Sequence, residues 1–218
     1  SHDGWSLTGA NLGVALDTPP PIHMGAVGTK TLEWAGRNMD GVMLFSCLNA
    51  PAVARSVSII RRAAEEVGRD PQSVEVSAVA VNACDVSEEK MLNYIVRRMN
   101  TYFLWPMIDL LIAVNGWDES DAKVIKRAVA QQARNPAGAL GDEGASRELD
   151  DLRRMHDLYP KEWIGECNAV GSAENGARYI RSLFDAGADK VLLHGCPPED
   201  FQTLVAAWPA YRPLKFRQ

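Results

Sequence analysis

The chain has 218 residues, 46% of them hydrophobic and 23% charged, with a formal net charge of -5; this is enough to bury one substantial core, and disordered and fibrous classes are excluded. The acidic balance and the lack of any Lys/Arg run give no footprint for nucleic acid or an anionic membrane surface, and no apolar run reaches the ~20 residues that cross a bilayer. The four cysteines, Cys47, Cys84, Cys167 and Cys196, form no C-x-x-C pair, which argues against a zinc site or disulfide framework and for a reducing, cytoplasmic setting.

Residues 22–27 and 42–45 are short apolar runs flanking a helix-length segment that opens at Gly28-Thr29 and closes at Asp40-Gly41. That is the pattern of strand, helix, strand. A glycine after the first strand permits a tight turn, and the unpaired amides of the helix start point outward, where they suit a phosphate or another anion. Apolar residues Val53, Val57, Ile60, Ala64 and Val67 then mark one buried helical stripe, which stops at Gly68 to Pro71. Residues 74–83 read as a β-branched strand, and Ser87 with Glu88 and Glu89 caps the next helix.

From 91 to 163 the pattern predicts helices over 91–104, 120–133 and 146–158, a break at Asn135-Pro136-Ala137-Gly138, and no strand. A plain crossover needs only a dozen or more residues, so 87–165 is expected to be a helical insertion between the last two strands. Ser172 caps a helix carrying Ala177, Ile180, Leu183 and Phe184 on one face, residues 190–194 form the last strand, and Pro197 to Asp200 opens a closing helix. The whole of 1–218 reads as a single α/β domain with four strands. Alternating strands and helices leave two solutions, an open doubly wound sheet or a closed barrel, and strand order decides between them.

Four segments, in order, carry a resemblance. They are the run from Pro20 to Leu44, the run Ala-Glu-Glu-Val-Gly-Arg-Asp-Pro at 64–71, Ala-Val-Gly-Ser at 169–172, and Asp-Ala-Gly-Ala-Asp-Lys-Val-Leu-Leu-His-Gly at 185–195. Together they resemble the luciferase-like flavin and deazaflavin oxidoreductases, which are (β/α)8 TIM barrels. The resemblance implies that Pro20 to Leu44 corresponds to the fifth strand, its helix and the sixth strand, so that the chain holds the C-terminal half of a barrel. A complete barrel needs about 250 residues and eight strands. Half of one leaves two open edges and an uncovered inner face. Three situations would relieve this: a missing N-terminal half within a longer protein, a separate partner half, or a homodimer of two copies.

The same resemblance implies a cofactor, coenzyme F-420 or alternatively FMN, that exchanges a hydride with a small organic substrate. Gly25, Ala26, Val27, Gly28 and Thr29 would hold it through main-chain amides, because small residues allow close approach. Ser46 and Cys47 follow the second strand at the rim where such sites assemble, and His194 ends the last strand as a proton donor or ring contact. Tyr102 and Trp105, with Phe103 and Trp117, would supply flat walls for substrate. His23 is expected to be a wall residue, Asp118 a helix cap, and no metal cluster is evident. The rival reading is a non-catalytic half barrel that serves as a binding or assembly module.

Overall fold

The computed structural model describes Thr8, Gly13 and residues 18–104, 106–134 and 142–214. Strand β1 (His23–Ala26) leads through helix α1 (Thr29–Asn38) to β2 (Gly41–Leu44), and α2 (Ala50–Glu65) leads to the long β3 (Glu75–Cys84). Helices α3 (Glu88–Met91) and α4 (Arg97–Tyr102) are joined by a π-helical turn at Leu92–Val96, and α5 (Met107–Asn115), α6 (Glu119–Arg134), α7 (Asp142–Leu158) and α8 (Lys161–Gly165) follow. The chain closes with β4 (Ala169–Gly171), α9 (Ala173–Asp185), β5 (Lys190–His194) and α10 (Gln202–Tyr211).

Among the described residues every strand pairing is parallel, and the main path runs β1-β2-β3-β5, with β4 pairing the far end of β3. An order that advances in one direction without reversal is an arc of a barrel wall; a doubly wound sheet would reverse at its middle. The open-sheet alternative is thereby removed. The described residues form five strands where the sequence predicted four: the three-residue β4 is too short to show an alternation, and its Gly171 has φ +84°. The helical segment 87–165 therefore ends before β4, and β4 and α9 stand between it and β5.

The arc has two unlike faces, because side chains alternate along a strand. Ala26, Val42, Leu44, Val76, Ala78 and Ala80 are buried, with α1 packed on β1 and β2, α9 on β3 and β5, and α2 between α1 and α9. His23, Gly25, Met43, Lys190 and Leu192 face the other way and stay exposed. That inner face is apolar in part, with Met43 at 43% and Leu192 at 49% exposure.

Polar residues pin the amino ends of the strands. Arg61 donates to the carbonyls of Val74 (2.6 Å) and Pro71 and to Asp189 Oδ2 (2.7 Å), which also accepts from the Val76 amide at 2.8 Å. Arg69 donates to the Gly36 and Met39 carbonyls, 2.8 Å each, closing the C-terminus of α1. Gly36 lets α1 and α2 touch: a Cβ there would stand 2.5 Å from the Ile60 carbonyl oxygen. Of these, Gly36, Arg69 and Asp189 belong to the segments that carried the family resemblance, and in this structure their work is structural.

Candidate active site

The carboxyl ends of the strands bring distant residues together. Ser46 follows β2 and His194 ends β5, and Ser46 Oγ lies 3.1 Å from His194 Nε2 across 148 residues of sequence. Ser46 is buried and His194 half-buried. Burial, and secondarily the positive charge of Arg98, hold the imidazole below the ordinary histidine value, so at neutral pH it is uncharged and can accept or donate at this rim.

The loop behind Ser46 is fixed from outside the sheet. Cys47 adopts φ +61°, an uncommon conformation for a residue with a side chain. Asn115, at the end of α5, supplies the restraint: its Nδ2 donates to the Cys47 carbonyl (2.9 Å) and its Oδ1 accepts from the Asn49 amide (2.8 Å). Asn49 returns a bond to the Asn115 carbonyl (3.0 Å) and caps α2 by accepting from the Ala52 amide (2.9 Å). All of these groups are buried, so each bond is protected from competition with water. Cys47 itself is fully enclosed, and burial pushes its thiol up to about 12. Its side chain is core, and any part it takes at the rim is through its backbone.

The β1-to-α1 corner is bare. Gly28 is the N-cap residue of α1, with φ -76° and ψ 145°, and no side chain caps the helix. Thr29 is the first helical residue, exposed, and does not act as the cap. A Cβ on Gly25 would meet nothing within 4 Å, and one on Gly28 only Leu110 at 3.9 Å. Ala26 and Val27 are buried in the core, so they offer a ligand only their main chain. The corner is thus open main chain at a ten-residue helix start, with the chemistry of an anion cradle.

The predicted aromatic wall divides. Tyr102 packs edge-on against Phe45, ring centroids 4.9 Å apart, and so faces the end of β2 beside Ser46. Phe103 turns the other way, into a cluster with Trp117, Tyr159 and Trp163 in which the two tryptophans stack at 4.2 Å. Phe103 and Trp117 are therefore packing residues of the inserted helices. Trp105 lies outside the described residues. Asp118 does cap α6, with Oδ1 accepting from the Ser120 amide at 2.6 Å, and the Ser120 hydroxyl together with that amide holds its carboxyl below the usual range. His23 lies over Gly41 on the exposed face, 3.8 Å from a Glu75 carboxylate oxygen, in keeping with a wall residue.

Sequence reading missed Asn115, which arrives from a helix without an amphipathic signal, and Arg98, whose guanidinium carbon sits 5.8 Å over the Tyr102 ring. The i, i+4 spacing of Arg98 and Tyr102 was the available signal. A groove of about 690 Å³ between α2, α8, β4 and α9, lined in part by Pro51, Val170, Arg178 and Tyr179, contains none of the predicted residues. Ser46 and His194 lie instead at the rim. Among the described residues, no three metal-ligating side chains cluster and no helix is long and apolar enough to cross a membrane.

A singly wound parallel arc with the candidate residues Ser46 and His194 at the carboxyl ends of its strands is one side of a (β/α)8 barrel, a fold whose sites form at that rim. The chain belongs to the luciferase-like monooxygenase family, which it matches over residues 1–190. It is 39% identical over 172 residues to a 5,10-methylenetetrahydromethanopterin reductase from Methanolobus tindarius, covering 79% of this chain and 47% of that protein. Among solved structures it resembles the coenzyme F-420 dependent tetrahydromethanopterin reductase of Methanopyrus kandleri, with a TM-score of 0.61 at 19% identity over 88% of this chain and 51% of that one. An F-420-dependent secondary alcohol dehydrogenase gives a TM-score of 0.57 at 16% identity, over 90% and 50%. The chain spans about half the length of each.

Proposed function

We propose that this chain forms the second half of an F-420-dependent oxidoreductase, which exchanges a hydride between the deazaflavin and a small organic substrate. The observation that carries the reading is the Ser46–His194 pair, 3.1 Å apart at the strand ends. The bare α1 corner, and the name borne by the 39% identical relative, support it. The residues fit the cofactor: open glycines and free helix-start amides suit its phosphate, and Tyr102 offers a flat apolar edge beside the rim. When bound, the deazaflavin supplies the hydride chemistry. The protein's share is to hold and orient. Gly25 to Thr29 grip the phosphate, Asn115 fixes the loop of Ser46 through Cys47, and Ser46 holds the His194 ring in one orientation. Neutral His194 then takes up the proton released from a substrate heteroatom as hydride leaves, and in the reverse direction the protonated ring returns it.

The exposed inner face and the half-length match favour a first barrel half as the structural partner, within a longer protein; a homodimer would cover the same surface. Methylenetetrahydromethanopterin and a secondary alcohol are the first substrates to test, in the chain alone and in a form extended upstream. Substrate-dependent change of the deazaflavin absorbance, reduced by about 10²-fold or more in His194→Gln, is the expected result. Unchanged turnover in His194→Gln would remove the proton-transfer role. Saturable cofactor binding without turnover of any substrate would favour the non-catalytic module, and tighter binding of FMN than of F-420 would favour the flavin.

A further inference from the structure

We infer that Arg98 is an anion-binding residue of this rim, which receives a carboxylate or phosphate group of the organic substrate beside His194 and Ser46. The inference rests on the rim being the active site, and it adds a substrate class to that reading. Arg98 stands on α4 one turn before Tyr102, with its guanidinium carbon 5.8 Å over the Tyr102 ring centroid. Tyr102 packs on Phe45, the residue before Ser46, and Ser46 meets His194. A continuous set of contacts thus carries a positive charge to the mouth of the strands.

The neighbouring arginine is satisfied differently. Arg97 pairs with Glu148 and with Asn93, whereas Arg98, half-buried, makes no hydrogen bond or ion pair among the described residues. Stacking on tyrosine fixes the plane of a guanidinium and leaves its fork of donors free. A partly desolvated cation without a counter-charge is costly, and a bidentate anion relieves that cost. Among the described residues no carboxylate pairs with it, and two groups that register its charge, the imidazole of His194 and the enclosed thiol of Cys47, are neutral at physiological pH. The α1 corner is a separate anion cradle, so cofactor phosphate and substrate anion have distinct seats.

The test is a titration of the 218-residue chain with inorganic phosphate, followed through the His194 ring proton by NMR across pH, in wild type, Arg98→Met and Arg98→Lys. In wild type, phosphate neutralises Arg98 and His194 titrates at higher pH. In Arg98→Met the histidine titrates higher without phosphate, phosphate adds nothing, and phosphate affinity drops about tenfold or more. Arg98→Lys keeps the charge and part of the coupling, which separates lost chemistry from lost folding. The inference is overturned if wild type shows no coupling, or if Arg98→Met shows the wild-type coupling. It also falls if Arg98→Met weakens F-420 as much as phosphate, since the anion would then be the cofactor's. Coupling through Arg98 in a protein that fails to bind F-420 would retain the anion site and discard the cofactor reading.

Discussion

His194, the last residue of β5, and Ser46, in the loop after β2, are brought together by the pairing of their strands into one arc, and the setting changes what the histidine does. Unfolded, it titrates near 6.5; folded, burial and Arg98 keep it below that. Between those two values the unfolded chain binds more protons, so stability rises with pH there. The contribution is complete above the unfolded value and is lost as pH falls through the folded one. Urea unfolding of wild type should therefore weaken more than that of His194→Gln as pH is lowered from about 7 to about 5. Parallel losses in the two proteins would contradict the burial argument. Gly36 gives a second test at this scale. Alanine favours a helix by up to about 1 kcal/mol over glycine, yet its Cβ would meet the Ile60 carbonyl at 2.5 Å. The clash wins, and Gly36→Ala should lower unfolding free energy by about 1–3 kcal/mol.

Among the elements, α5 does more than fill the insertion. Asn115 reaches from its end to the loop after β2, and removing that side chain leaves the Asn49 amide and the Cys47 carbonyl buried without partners. Asn115→Ala should cost about 2–4 kcal/mol in urea unfolding. It should also lower turnover, because the Ser46 loop loses its clamp. A loss of turnover with unchanged stability would locate Asn115 in the chemistry instead. Sequence patterns gave α1 from its flanking apolar runs and turn signals and α2 and α9 from their apolar stripes, and Ser87 and Ser172 cap where expected. They did not give α5, whose Met-Ile-Asp-Leu-Leu-Ile-Ala-Val-Asn is apolar nearly all round and has no period to read. Short β4 escaped for want of length. The site was legible to the extent that it lay at strand ends: His194 and Ser46 were placed there by pattern and resemblance. The Asn115 clasp and the Arg98 stack depend on tertiary contacts across the insertion, which no local spacing encodes.

At the scale of the molecule, β1 and β5 each pair on one side only among the described residues, and a face bearing Met43 and Leu192 is exposed there. Open parallel edges and an uncovered apolar face favour association. The 218-residue chain alone should sediment as a dimer or larger species, and a form extended upstream by a first barrel half should sediment as a single more stable unit. A stable monomer of the short chain, unaffected by extension, would contradict the half-barrel account.

The cofactor assignment depends most on the open corner at the start of α1, and a fluorescence titration with F-420 tests it directly. Glycine at position 28 has backbone angles that other residues adopt and free space around it, so Gly28→Val should fold normally. It should still crowd the amides that hold the phosphate. Saturable quenching in wild type, at least about tenfold weaker in a folded Gly28→Val, is the predicted result; equal affinity in the two proteins, or no binding even to a form that includes the first barrel half, would contradict it.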